Sequence, residues 1–89
     1  KTPQQPKKLT LDRHADRRDI TISWEPVKGA QGYNVLWGIA PDKLYSSWMV
    51  YGNNELLMKS LTTDQDYYFC VEAFNENGVS LRSEVKHVK

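Results

Sequence analysis

The acidic residues are the part of this sequence whose chemistry could support catalysis. Hydrolysis of a glycosidic bond, for example, needs two carboxylates about 5 to 10 Å apart on either side of a cleft. Nearly all the acidic residues considered fall in predicted turns or at strand ends, where an aspartate usually hydrogen-bonds its own backbone. The sequence therefore predicts structural or solvated carboxylates. They are Asp12, Asp16, Asp19, Glu25, Asp42, Asp64, Asp66 and Glu72.

Metal binding and nucleophilic catalysis are not supported by the residue spacing either. His14 and Asp16 hint at a metal site, but zinc requires three or four converging ligands, and His87 is distant in sequence. Cys70 is the single cysteine, so no internal disulfide can form. No glycine-rich phosphate loop precedes a predicted helix. We expect no metal, no cofactor and no enzymatic activity in this chain.

Length and charge limit the classes of function further. The 89 residues make one small domain with little room for an enclosed cleft. The net charge of +1 and the scattered charges give no basic surface of the kind that binds nucleic acid. No apolar run approaches the ~20 residues needed to span a membrane. We expect a monomeric piece of a longer protein, without membrane insertion.

Seven strand-like segments follow one another at spacings of about ten residues, a pattern typical of an all-β sandwich. Gly52-Asn53-Asn54 predicts a hairpin between the fourth and fifth strands. Residues 1–8, rich in proline, glutamine and lysine, predict a linker, so the domain would comprise residues 9–89. The predicted strands are Leu9–Leu11, Ile20–Trp24, Tyr33–Gly38, Leu44–Tyr51, Leu56–Leu61, Tyr67–Phe74 and Ser80–Val88.

The stretch from Leu61 to Ala73 is the most informative local pattern. Tyr67 follows Leu61 across a polar turn, and residues 67, 69, 71 and 73 then alternate on one face of a strand. A tyrosine in this position ties one sheet of a sandwich to the other. We therefore predict a tyrosine corner formed by Leu61 and Tyr67. The core beneath it is predicted to contain Trp24, Tyr33, Val35, Phe69 and Val71.

The alternation also predicts an outer face on the third, fourth and sixth strands. If Trp48 and Val50 point inward, an apolar and aromatic set points outward, where a lone sandwich should be polar. Exposed apolar patches mark interaction sites. Docking on a neighbouring domain is the interpretation we favour, and stacking on sugar rings and simple cross-strand packing are the alternatives. The candidate interaction face comprises Leu36, Tyr45, Met49, Tyr51 and Tyr68, with Cys70 beside them.

Together these residues resemble a fibronectin type III domain from about residue 7 to residue 88. The resemblance implies a seven-stranded immunoglobulin-like sandwich in which the tyrosine hydroxyl bonds back to the preceding loop. The sequence departs from the family in its first strand, which lacks the usual proline-glycine pair, and in the length of the charged hinge that follows. The resemblance rests on Trp24-Glu-Pro-Val27, Gly32-Tyr33-x-Val35, Leu56-x-Met58-x-x-Leu61 and the run from Tyr67 to Ser80.

Residues 24–38, 41–45, 49–51 and 73–78 are also similar to the fibronectin type III-like domains at the C-terminus of bacterial polysaccharide-degrading enzymes. These are glycoside hydrolases of the xylosidase and arabinosidase type, as found in gut Bacteroides. The similarity implies a non-catalytic accessory module, secreted or periplasmic, that braces or spaces an adjacent catalytic domain, with weak polysaccharide contact as a further expectation. The alternative is a protein-interaction module of a cell-surface adhesin or receptor.

Overall fold

The computed structural model describes residues 1–59 and 61–89. Within that part, the regular secondary structure consists of eight β-strands. None of these residues belongs to a helix long and apolar enough to cross a membrane. The strands are β1 (Thr10–Arg13), β2 (Ile20–Ser23), β3 (Gly32–Gly38), β4 (Ser46–Tyr51), β5 (Glu55–Met58), β6 (Tyr67–Asn75), β7 (Gly78–Val79) and β8 (Lys86–Val88).

The strands form two antiparallel sheets. One sheet has the order β1-β2-β5, and the other has the order β4-β3-β6-β7, with β8 also paired to β6. The alternation seen in the sequence determines which side of each strand faces the other sheet: in β2, Ile20 and Ile22 are buried, whereas Thr21 and Ser23 are half-buried. The predicted all-β sandwich is therefore confirmed, with eight strands in place of seven.

Two strands stand in place of the predicted last strand, Ser80–Val88: β7 lies just before its predicted start, β8 covers its end, and residues 80–85 form the interval between them. In this interval the Ser83 amide donates to the Val71 carbonyl at 2.8 Å, and the Ser83 Oγ accepts from the Val71 amide at 2.9 Å. In the same way, the Ser80 amide donates to the Ala73 carbonyl at 2.7 Å, and the Ser80 Oγ accepts from the Ala73 amide at 2.9 Å. Serine hydroxyls thus replace backbone carbonyls as acceptors, and these buried amides of β6 remain paired.

The core between the sheets contains the residues predicted for it. Val35, Phe69 and Val71 are fully buried, and Trp24 and Tyr33 are nearly so. The Trp24 and Tyr33 rings meet edge to face, with their centroids 5.1 Å apart. Burial of each large apolar side chain contributes about 1.5–3 kcal/mol, so this cluster supplies the main stabilisation of the domain.

The loop before β6 is held by a tyrosine and an arginine. The buried Tyr67 hydroxyl accepts a hydrogen bond from the Thr62 amide at 2.9 Å. Arg13 of β1 donates to the Thr62 carbonyl at 2.7 Å, and its guanidinium carbon lies 5.2 Å from the centroid of the Tyr67 ring. Leu61 is buried next to this loop. The corner therefore connects β6 in one sheet with β1 in the other.

The turn at Gly52–Asn54 does not form the predicted hairpin, and that prediction was wrong. It carries the chain from β4 in one sheet to β5 in the other. The Asn54 side-chain amide donates to the Trp24 carbonyl at 2.7 Å, and the Asn54 carbonyl accepts from the Trp24 amide at 3.1 Å. These bonds draw the chain towards the end of β2. A turn motif specifies local backbone geometry, but it does not specify the strand that the chain pairs with next.

Residues 1–8, which the sequence predicted to be a linker, lie against the sandwich. Pro3 and Pro6 are buried. The Lys1 carbonyl accepts a hydrogen bond from the Asn77 side-chain amide at 3.0 Å. The boundary between linker and domain stays a prediction, but these residues are part of the packed structure.

Replacing Tyr67 by phenylalanine should destabilise the domain. Tyr67→Phe removes the acceptor of the Thr62 amide at a partly buried position, so we expect the free energy of unfolding to fall by about 1–3 kcal/mol. Urea denaturation measures this change. Tyr45→Phe is the control, because Tyr45 is 84 % exposed, and it should change stability by less than about 0.5 kcal/mol. Equal midpoints for Tyr67→Phe and the wild type would contradict the role given to the corner.

Ser83→Ala should also destabilise the domain, because the buried Val71 amide loses its acceptor. We expect a cost of about 1–3 kcal/mol in the free energy of unfolding, together with faster hydrogen exchange at the Val71 amide. Ser47→Ala, at an exposed serine of β4, provides the matched control. If the Val71 amide exchanges at its wild-type rate in the variant, the hydrogen bond to the Ser83 hydroxyl does not protect this amide.

Candidate functional site

The outer face of the five-stranded sheet contains most of the residues assigned from the sequence to an interaction surface. We define the outer face as the side chains of β4, β3, β6 and β8 that point away from the other sheet. Their neighbours follow from the pairing of the strands. Gly32 lies between Tyr51 and Phe74, Asn34 lies between Met49 and Glu72, and Leu36 lies between Ser47 and Cys70.

One end of the outer face carries an aromatic pair built over a glycine. The Phe74 ring extends over Gly32, where an added Cβ would lie 2.6 Å from the ring. Tyr51 approaches from the other side of β3 and meets Phe74 edge to face, with centroids 5.6 Å apart and ring planes at 84°. Tyr51 is 65 % exposed, and the adjacent Met49 is 53 % exposed. This corner therefore presents an aromatic and apolar surface to solvent.

A polar row lies next to the aromatic pair and divides the outer face. The Asn34 side-chain amide donates to one Glu72 carboxylate oxygen at 2.8 Å. The Nε of Arg82 lies 3.6 Å from the other oxygen of that carboxylate. Because this row crosses β3, β6 and the segment between β7 and β8, the predicted face is not one continuous apolar surface.

Leu36 and Cys70 are buried, although the sequence predicted both on the exposed face. They lie opposite each other on β3 and β6 and are 9 % and 0 % exposed. Both belong to central strands, which have a neighbouring strand on each side, whereas period-two alternation shows only the side to which a residue points. Burial raises the pKa of the Cys70 thiol above its ordinary value, so thiolate, the reactive form, is disfavoured.

Tyr68 and Tyr45 occupy different surroundings from those predicted. Tyr68 is half-buried, because His87 of β8 stacks on its ring with centroids 4.7 Å apart. The Nε2 of His87 in turn lies 3.0 Å from a carboxylate oxygen of Asp66. Tyr45 precedes β4, which begins at Ser46 rather than at residue 44, and it is not part of the sheet. Of the five face residues, Met49 and Tyr51 are therefore the ones exposed on the sheet itself.

Trp48 was not assigned to a site from the sequence, yet its side chain is 56 % exposed. Its pairing with Val35 places it on the inner side, as predicted, but β4 is the last strand of its sheet and leaves it open to solvent. The alternation of the sequence gives its side and cannot reveal that β4 is an edge strand. A groove of about 280 Å³ begins here, lined by Trp48, Leu56, Leu57, Met58 and Lys59.

Asp16 and His14, the two residues that hint at a metal site, have structural partners. Asp16 accepts hydrogen bonds from the Arg18 and Asp19 amides at 3.0 and 3.3 Å, and these amides, that of Arg18 foremost, lower the pKa of its carboxyl. The Nε2 of His14 lies 2.9 Å from the Thr21 hydroxyl. In residues 1–59 and 61–89, no group of three or more His, Cys, Asp or Glu side chains could hold a metal ion.

Comparison with known proteins identifies relatives of this fold. The family model described as fibronectin type III domain matches residues 4–89. No curated protein matches the chain. A structure of the chicken CNTN1 FN1–FN3 domains is 23 % identical with a TM-score of 0.85, and the match covers 98 % of this chain and 30 % of that one.

Two further solved structures are similar over nearly their full length. An Fn3-like protein from Clostridium thermocellum is 18 % identical with a TM-score of 0.83, and the match covers 100 % of this chain and 91 % of that one. The FN5 domain of Drosophila Lar is 23 % identical with a TM-score of 0.79, with coverage of 98 % and 95 %. At these identities the likeness concerns the fold.

Gly32→Ala should separate the aromatic pair. The new Cβ would lie 2.6 Å from the Phe74 ring and 2.9 Å from the Val50 carbonyl oxygen, so the ring must move away from Tyr51. We expect a loss of about 1–3 kcal/mol in unfolding free energy and altered NMR shifts of both rings. Gly29→Ala is the control: it meets no atom within 4 Å but has a φ of +82°, so stability should fall without moving Phe74. Unchanged ring shifts in Gly32→Ala would contradict the proposed packing.

Proposed function

The chain belongs to the fibronectin type III family, and from this we propose that it is a non-catalytic accessory module that braces or spaces a catalytic domain within a larger polypeptide. The parent protein would be a bacterial glycoside hydrolase, secreted or periplasmic. The partner of the module would be the adjacent catalytic domain of the same polypeptide. The observation that carries this proposal is the apolar corner formed by Met49, Tyr51 and Phe74 on the outer face, where Met49 and Tyr51 are exposed and Phe74 is half-buried.

This corner has the chemistry of a docking surface. In an isolated sandwich, the solvent-facing side of an antiparallel sheet is usually polar, whereas Tyr51 and Met49 here are each more than half exposed. Aromatic residues and methionine are enriched at the centre of protein interfaces, because they bury a large area with few rotatable bonds or adapt to an irregular partner. The adjacent Asn34–Glu72–Arg82 row would supply the polar rim of such an interface.

The same segments support the proposed parent. Residues 24–38 and 73–78, which are similar to accessory domains of polysaccharide-degrading enzymes, contain Gly32 and Phe74. They therefore contribute to the corner that would contact the catalytic domain. The fold shared with the Fn3-like protein from Clostridium thermocellum is consistent with this origin.

Direct contact with polysaccharide is a secondary expectation of this proposal. Stacking on a sugar ring requires an aromatic ring whose flat face is open. In the corner, Tyr51 and Phe74 are nearly perpendicular, so the edge of one ring meets the face of the other and the pair does not form a flat platform. We therefore place weak glycan contact behind domain docking.

The alternative function is that of a protein-interaction module in a cell-surface adhesin or receptor. The observation in its favour is the similarity to the chicken CNTN1 structure, which comprises the domains FN1 to FN3 and of which this chain covers 30 %. The two proposals differ in the composition of the parent polypeptide. One copy beside a carboxylate-rich catalytic region supports the accessory role, whereas tandem copies support the interaction module.

The first experiment is to capture the native polypeptide with an antibody against this domain and determine its mass and peptide map. We expect a chain several-fold larger that contains a glycosidase domain. A polypeptide of tandem sandwich repeats would overturn the accessory role in favour of the alternative.

A variant of that full-length polypeptide then tests the docking surface. Met49→Ser combined with Tyr51→Ser should leave the domain itself folded, because both side chains are exposed, but should accelerate proteolysis at the junction with the catalytic domain. Tyr45→Ser is the control, since it removes an exposed tyrosine outside the sheet. Identical cleavage rates in all three proteins would contradict docking through this corner.

A further inference from the structure

We propose that the free edge of β4 pairs with the β4 edge of a second copy of this chain, so that two five-stranded sheets become one antiparallel sheet. β4 lies at the end of its sheet, so one side of its backbone has no neighbouring strand within residues 1–59 and 61–89. Its sequence, Ser-Ser-Trp-Met-Val-Tyr, contains no charge and no proline. An exposed, apolar edge strand of this kind is a template for pairing with another strand.

The other sheet edges carry features that discourage pairing. β1 contains Asp12 and Arg13, and β5 begins with Glu55 and is followed by Lys59. Charged side chains on an edge strand oppose strand addition, because a neighbouring strand must desolvate them. On the far side of the five-stranded sheet, the edge is broken into two short strands, β7 and β8, separated by the serine-bonded segment. Among the edges in the described part of the chain, β4 is therefore the one without protection.

A second copy fits this edge because β4 is complementary to itself. In such a dimer, a two-fold axis perpendicular to the sheet relates the two copies of β4. Outer-face side chains then lie beside outer-face side chains only if the axis passes through one residue rather than between two. Centred on Met49, the pairing places Ser47 opposite Tyr51 on the outer face. On the inner face it places Trp48 opposite Val50. Each large side chain thus faces a smaller one, the flexible methionines meet at the centre, and no like charges are brought together.

The groove next to β4 favours the same register. Its wall includes Trp48, which is more than half exposed although it belongs to the inner side of its sheet. In the pairing centred on Met49, the Trp48 of each copy lies beside Val50 of the other, at the mouth of the groove. Association would therefore remove from water both the unpaired backbone groups and the apolar surface of Trp48, the two features that β4 leaves exposed.

The association is expected to be weak, because one strand of six residues forms a small interface. It departs from the monomer expected from the sequence. Met49 and Tyr51 belong both to this edge and to the corner of the proposed accessory role, but the test on the isolated chain does not depend on that role. In a continuous sheet, the Tyr51–Phe74 corners of both copies remain on the outer face. A concentration series up to about 1 mM covers the range of weak dimers.

Sedimentation equilibrium of the isolated chain tests the proposal. The dimer fraction of the wild type should rise with concentration. Ser47→Lys places a charge on the exposed edge, opposite Tyr51 of the second copy, and should raise the dissociation constant at least tenfold. Leu81→Lys makes the same change of charge at a residue that is 78 % exposed and outside β4, and should leave the dissociation constant unchanged. Circular dichroism and the urea midpoint verify that both variants are folded.

An isotope-filtered NMR experiment on a mixture of labelled and unlabelled chains locates the contact. Pairing centred on Met49 predicts contacts between copies from the Met49 methyl group to its equivalent and from Trp48 to Val50. The proposal is overturned if the wild type stays monomeric throughout the series, if Leu81→Lys weakens association as much as Ser47→Lys does, or if the contacts between copies lie outside β4. Binding of β4 only to strands of other proteins would likewise overturn it.

Discussion

The backbone of β6 must be hydrogen-bonded on both sides, and the architecture depends on this requirement. The strand contributes Phe69, Val71 and Ala73 to the fully buried core, where an unpaired amide costs about 1–3 kcal/mol. β3 supplies partners along one side. On the other side, β7 and β8 pair only with the two ends of β6, and Ser80 and Ser83 complete the middle with side-chain and backbone atoms. The sheet thereby remains continuous although its last strand is broken.

Much of this fold could be predicted from local sequence patterns, because period-two alternation reports which side of a strand is buried. That signal located the core from Trp24 to Val71 and the corner at Tyr67. The alternation did not predict features that depend on which strands are neighbours in a sheet. The turn at Gly52–Asn54 crosses between sheets, because Asn54 bonds to Trp24, a residue distant in sequence. The break in the last strand was not predicted either, because a serine that accepts from a neighbouring strand looks like any other serine.

The candidate site shows the same division between local and long-range information. Met49 and Tyr51 are exposed, as the alternation predicts. Leu36 also points to the outer face but is buried, because β3 is a central strand and β4 is an edge strand. Phe74 joins the face through its approach to Gly32, and His87 joins it only through the pairing of β8 with β6. Exposure on a sheet therefore follows from strand order, which no single segment encodes. Exposed apolar side chains accordingly lie at both edges of this sheet: Trp48, Met49 and Tyr51 on β4, and Val79, Leu81 and Val85 on and after β7.

The two ends of the chain are anchored at opposite ends of β6. Lys1 is bonded to Asn77 beside β7, whereas Val88 pairs with Tyr67 at the beginning of β6, and the domain is 41 Å long in its longest dimension. A pulling force applied between these ends would act along β8. Because the hydrogen bonds of an antiparallel pair lie perpendicular to the strands, such a force shears them together instead of opening them one after another. The geometry thus resists tension applied between the two ends of the domain.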